Sequence, residues 1–130
     1  MITSKTSERR SNFSEIRVYN LSITKRAVKK EYIETTKRFA QEAERNGYQI
    51  DSLYLFGSRI SGTSTKWSDL DICVVSPTIK DNPFDDRVRL LKISQKVNDA
   101  IEPHPMSVQD FNNDNYTLTR EIKKTGYRVI

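Results

Sequence analysis

Cysteine and histidine are almost absent from this 130-residue sequence, which has one of each, Cys73 and His104. A lone cysteine excludes an internal disulfide and suits a reducing compartment, where it serves more readily as a small buried hydrophobe than as a reactive thiol. One cysteine and one histidine also fall short of the ligand set of a structural zinc site. No apolar run approaches the roughly 18 residues needed to span a bilayer. The opening stretch, MITSKTSERRSNF, lacks the apolar segment of a secretory signal. A cytoplasmic protein without a membrane segment is therefore expected. Internal repeats and low-complexity tracts are missing too, and the length suits one domain with one modest core.

Charge is plentiful and unevenly placed. The net charge is +5, yet residues 1–30 hold eight lysines and arginines against Glu8 and Glu15, so the rest of the chain is close to neutral. A basic arm of this kind can meet nucleic acid or another anionic partner. It is equally what a solvated tail and the outer face of a first helix look like. No aromatic stacking platform accompanies the charge, so nucleic acid is not the expected partner. Residues 1–20, rich in Ser, Arg and Asn, are expected to be weakly ordered, and residues 21–130 to form the domain.

Hydrophobic periodicity divides the domain. Val28, Tyr32, Thr36, Phe39 and Ala43 recur at helical steps, which predicts a helix over residues 23–46 stopped by Gly47. Residues 48–56 read as a strand and 57–66 as a loop or short helix. Residues 69–76 read as a second strand. A turn over 77–83 leads to a helix over 84–101, with Val88, Leu91, Ile93 and Val97 as its apolar positions. A third strand over 101–106 contains Pro103 and Pro105, which consign it to a sheet edge. A last helix over 116–124, stopped by Gly126, and a short strand over 127–130 complete the chain. The mixture describes an α/β (α+β) protein.

The chemistry gathers between Leu53 and Val75, in LYLFGSRISGTSTKWSDLDICVV. Strand side chains alternate, so Asp69 and Asp71 share one face while Leu70 and Ile72 take the other. Two carboxylates about 7 Å apart repel, and a divalent cation between them removes that cost. Mg²⁺ is held in this way, by one or two carboxylates and substrate phosphates. Two solvated acids on an exposed strand would look the same. The turn before them adds weight to the metal. A strand running into Gly57-Ser58 and a helix-prone segment leaves backbone N–H groups free at the strand end, where they and the helix dipole bind phosphate. Gly57 allows close approach, Ser58 adds a hydroxyl, and Arg59 adds charge. A phosphate cradle followed by a same-face acid pair suits Mg²⁺-assisted transfer at a nucleoside triphosphate.

Gly57-Ser58, ten residues, then Asp69-Leu70-Asp71 resembles the motif of the minimal nucleotidyltransferases of the DNA polymerase beta superfamily. The flanks agree: an apolar strand before the glycine, Gly62 in the loop, Ser68 before the first aspartate and Ile72-Cys73-Val74-Val75 after the second. IEPHPMSVQDF and LTREIKKTGYRVI are similar to the ends of small members, so the resemblance spans roughly residues 33–130. It implies a small mixed sheet packed with helices and Mg²⁺-dependent transfer of AMP from ATP to a hydroxyl. Asp69 and Asp71 would hold two metal ions, with Gly57 and Ser58 on the β- and γ-phosphates. Glu102 is matched to the third carboxylate, which completes the site and orients or deprotonates the attacking hydroxyl. His104, two residues on, shares its face. Larger members carry a further helical domain for the acceptor. Here the acceptor would bind a second copy or a separate protein. Small members pair with a helical HEPN-type toxin and act as its antitoxin, by adenylylating it or by binding it. An enzyme and a stoichiometric binding module are thus both implied, and the complete Gly-Ser and Asp-x-Asp motif favours the enzyme.

Overall fold

The computed structural model describes residues 28–80 and 82–130. The expectations for the basic arm and for the first turns of the opening helix lie outside the described residues. Helix α1 (Lys30–Arg45) buries Tyr32, Thr35, Thr36, Phe39, Ala40 and Ala43 on one face, as its spacing predicts. It stops at Gly47, whose φ of 96° few side chains tolerate, and Tyr48 N–H closes the end on Ala43 O at 3.1 Å.

The strand expected from Tyr48 begins four residues later, as β1 (Ser52–Phe56). Tyr48 is taken elsewhere. Its ring is buried, and its hydroxyl donates to Asp86 at 2.8 Å, tying the end of α1 to α3 (Phe84–Ser94). Between β1 and β2 (Leu70–Ser76) lies one helical turn, α2 (Ser58–Ser61). After α3 come β3 (Ile101–Ser107), α4 (Val108–Phe111), α5 (Thr117–Thr125) and β4 (Tyr127–Arg128). No helix among the described residues is long and apolar enough to cross a membrane.

The sheet order is β3-β2-β1-β4. β1 runs antiparallel to β2 and β4, and β2 runs parallel to β3 across the crossover that contains α3. The two prolines do mark an edge. Leu70 N–H donates to Ala100 O at 2.8 Å, which sets the phase of the parallel ladder. In that phase the even-numbered residues of β3 turn their backbone groups to β2. Pro103 and Pro105 therefore occupy positions whose missing N–H would have faced the open edge.

Each face of the sheet has its own core. Leu53, Leu55, Leu70, Ile72, Val74 and Ile101 pack under α1 and α3. Phe56, Cys73, Val75 and Met106 pack under Phe111 of α4 and Ile122 of α5. Truncating one such fully buried Leu or Ile to Ala costs about 2–5 kcal/mol.

Helix α3 corrects the expected apolar face. Leu90 and Ile93 are buried, whereas Val88 and Leu91 are exposed. Positions 90, 93 and 97 form the core-facing stripe, while 84, 88 and 91 form a second stripe on another side. The helix also ends at Ser94, and Asn98 turns the chain by accepting from Ala100 N–H at 2.8 Å. Helix α4 is an addition to the expected elements. Its signal is in the sequence, since Ser107 caps it by accepting from Asp110 N–H at 3.0 Å.

Candidate active site

Register brings the acids together. β2 and β3 start side by side, with Asp71 opposite Glu102 and Cys73 opposite His104. Alternation then sends Asp71, Glu102 and His104 to one face, at the end that α4 and α5 leave open. One ligand atom from each lies within 4.8 Å of the others, and all three residues are half-buried. His104 Nε2 is 3.0 Å from Asp71 Oδ1. The imidazole is held by an edge contact with Phe56, ring centres 5.0 Å apart. Glu102 is held from the other side, where Arg87 of α3 donates Nη2–H to its Oε2 at 2.8 Å.

Gly57 belongs to the same cluster by its backbone. Phe56 is the register partner of Asp71, so the chain leaves β1 directly beside that carboxylate. Gly57 takes φ 83° and ψ −164°, and a Cβ there would overlap Asp71 Oδ2. Both conditions demand glycine. Its carbonyl accepts the N–H groups of Ile60 and Ser61, each at 3.0 Å, and so starts α2. Ser58 stands half-buried at the head of this turn.

The loop from Gly62 to Asp69 is pinned rather than loose. Thr65 N–H donates to Ser68 Oγ at 2.9 Å, and Ser68 N–H to Thr65 O at 3.1 Å. Arg59 secures it from α2, donating Nε–H and Nη2–H to Ser68 O at 2.9 and 2.6 Å. Its guanidinium also lies 5.5 Å from the centre of the Tyr32 ring. Expected at a phosphate, Arg59 here fixes the peptide that precedes Asp69. Asp69 itself is exposed and stands outside the 4.8 Å cluster. It lines a cleft of about 250 Å³ together with Glu102, Arg87 and Leu91.

Two residues of the site take their roles from the fold alone. His104 shares the face of Glu102 as expected, and the parallel register supplies Asp71 as its partner. Arg87 had no local signal, because its contact with Glu102 joins a helix to a strand beyond a turn. Below the cluster, burial pushes the Cys73 thiol up to about 12, so it remains protonated and inert as expected.

This donor set fits a divalent cation. Two carboxylates and an imidazole converge, and the missing Cβ of Gly57 is what leaves room for the Asp71 carboxylate. A family model for the polymerase beta nucleotidyltransferases matches residues 34–130. The chain belongs to that family. Among solved structures, a Sulfolobus solfataricus protein provisionally assigned as a nucleotidyltransferase is similar, at 20% identity and TM-score 0.53, covering 75% of this chain and 78% of that one. A toxin–antitoxin complex with AMP-PNP has 20% identity and TM-score 0.56, covering 75% and 72%. A variant of the MntA–HpeT toxin–antitoxin has 19% identity and TM-score 0.52, covering 72% and 71%. These likenesses establish the nucleotidyltransferase fold. Among curated proteins, none matches the chain in sequence.

Proposed function

We propose that this family member transfers AMP from ATP to a hydroxyl group of a protein or small-molecule acceptor. The observation that carries the reading is the convergence of Asp71 and Glu102 from neighbouring strands, with Gly57 backed against Asp71. Asp71 and Glu102, with Asp69 at the mouth of β2, would hold divalent ions, Mg²⁺ in the first instance. Such ions neutralise charge on the entering and leaving oxygens of an in-line displacement.

The chain's own groups do the rest. The backbone at Gly57 and the hydroxyl of Ser58 bind the β- and γ-phosphates. Glu102 takes the proton of the attacking hydroxyl. The acceptor oxygen bonds to the α-phosphorus, and the bond from that phosphorus to pyrophosphate breaks. Arg59, by holding the loop ahead of Asp69, keeps that carboxylate in place.

Our preferred acceptor is a toxin protein: two of the solved neighbours are toxin–antitoxin complexes and one of them holds AMP-PNP, and the resemblance to small family members implies a helical partner of the HEPN kind. A second reading is a stoichiometric antitoxin that binds without transfer. It is favoured by one observation, the Arg87 contact that already engages Glu102.

Glu102→Gln separates the two. Under the enzyme reading, ATP affinity stays within a few fold and AMP incorporation into the partner, read by mass, falls by about 10²-fold or more. Equal transfer by wild type and variant would remove Glu102 from the chemistry. Tight binding of the partner by wild type without any mass increase would establish the binding reading.

A further inference from the structure

We propose that His104 is itself a ligand of the site's divalent cation, and that its imidazole makes the site prefer first-row transition ions such as Mn²⁺ and Co²⁺ to Mg²⁺. The inference rests on the metal site of the proposed transferase and adds a nitrogen ligand and a metal preference to it.

Geometry comes first. Ligand atoms bonded to one ion at about 2.0–2.2 Å stand about 3 Å apart when they are cis neighbours. His104 Nε2 and Asp71 Oδ1 are 3.0 Å apart, and an atom of Glu102 lies within 4.8 Å of both. An ion seated between His104 Nε2 and Asp71 Oδ1 would take the place of the hydrogen bond they share, with Glu102 moving in to reach it. Asp69, the acid that the motif pairs with Asp71, is outside that group.

The imidazole is also prepared for the role. β3 presents Glu102 and His104 on the same face, opposite Asp71 and Cys73. Phe56 fixes the ring by its 64° edge contact. Glu102 gives Oε2 to Arg87 and still brings a carboxylate oxygen into the cluster. His104 is the one histidine in the sequence.

The donor set then sets the preference. Mg²⁺ takes oxygen ligands almost exclusively, whereas imidazole suits transition ions, whose affinity rises from Mn²⁺ to Co²⁺. A site of two carboxylates and one imidazole therefore discriminates more strongly than a site of carboxylates alone.

The experiment uses the full chain and metal alone, without nucleotide. Free Mn²⁺ is counted by electron paramagnetic resonance, with Co²⁺ and Mg²⁺ as competitors. Pulsed spectra of bound Mn²⁺ report directly whether a nitrogen is coordinated. Wild type is expected to show nitrogen coupling and to bind Mn²⁺ at least tenfold more tightly than Mg²⁺. His104→Gln should lose the coupling and about tenfold in Mn²⁺ affinity while Mg²⁺ affinity changes less than threefold. Circular dichroism checks that this variant folds, and His104→Asn serves as a second variant if it does not.

Three outcomes overturn the proposal. Bound Mn²⁺ without nitrogen coupling leaves the metal site intact and removes His104 from it. An equal loss of Mn²⁺ and Mg²⁺ affinity in the variant reduces His104 to a residue that orients Asp71. No binding of any ion, in wild type as in Asp71→Asn, removes the metal site itself and with it the metal-dependent part of the proposed function.

Discussion

The two strands that supply the candidate site lie side by side and are built in opposite ways. β2 is central: it pairs on both sides, and residues 72–76 are all buried. Its Asp71 is confined by the backbone of Gly57 on one side and by His104 on another. β3 is an edge strand with two prolines, and its Glu102 is half-exposed and held by a single ion pair from α3. One carboxylate is thus fixed by close packing and the other by a side chain that can let go. The proposed transferase, which would accept an ion and a nucleotide and then release product, gains from that asymmetry. The rigid acid defines the position, and the adjustable one can follow the chemistry.

The largest effect is expected from breaking the rigid side. Gly57→Ala places a methyl group on Asp71 Oδ2 and asks alanine to hold a φ of 83°. The backbone strain alone costs about 1–3 kcal/mol. Gly47→Ala is the control, since its φ of 96° is equally unsuitable but nothing lies within 4 Å of the added Cβ. In denaturant unfolding, Gly57→Ala should lose clearly more stability than Gly47→Ala. It should also lose the stabilisation by Mg²⁺ and ATP, which reaches about 2.7 kcal/mol at 100 times the Kd. Asp71→Asn should lose that stabilisation while folding normally. Equal costs at the two glycines would mean that the contact with Asp71 is unimportant.

The same asymmetry governs what the sequence disclosed. Most of what is written locally was legible, the Ser107 cap of α4 being the exception. The turn at Gly57, the alternation through Asp71 and the helical face of α1 each follow from neighbours within a few residues. The edge position of β3 was legible too, because proline removes a hydrogen bond wherever it sits. What was not legible depends on contacts between distant segments. Tyr48 looks like a strand residue until Asp86 is seen to take its hydroxyl. Val88 and Leu91 look like core until Leu90 and Ile93 are seen facing the sheet. The hold of Arg59 on the Ser68 carbonyl, beside its expected place at a phosphate, appears only in the fold. The pairings of His104 with Asp71 and of Arg87 with Glu102 likewise needed the fold.

A smaller effect is expected from loosening the adjustable side. The Arg87–Glu102 pair is half-exposed, and such pairs contribute between about 0 and 1 kcal/mol. Arg87→Gln should therefore unfold within about 1 kcal/mol of wild type. Glu102 would lose its orientation, and a misplaced group near the reacting atoms slows transfer even when stability is untouched. We expect AMP transfer to fall by about tenfold, with ATP affinity unchanged and with partial recovery in Arg87→Lys. A fall in stability of several kcal/mol would instead make Arg87 a structural residue. Unchanged transfer would show that Glu102 needs no holding.

The smallest effect tests how α3, which carries Arg87, is itself fastened. Tyr48 donates to Asp86, the residue before Arg87, at 2.8 Å. Burial, reinforced by the hydrogen bond to Asp86 and by its charge, pushes the phenol up from 10.0 to about 12. The folded state therefore holds the Tyr48 proton more tightly than the unfolded chain does. Its contribution to stability is complete below pH 10 and disappears as pH rises from 10 towards 12. Cys73, raised from 9.0 to about 12 by burial, acts with the same sign, so wild type alone cannot isolate Tyr48. The comparison with Tyr48→Phe can. That variant keeps the ring and loses the hydroxyl, which costs about 0.5–1.5 kcal/mol at neutral pH. Cys73 is common to both proteins and cancels in the difference. Denaturant midpoints measured from pH 8 to pH 12 should show a constant gap up to pH 10 that closes above it. A gap that stays constant to pH 12 would mean that the phenol is not held as a neutral donor to Asp86.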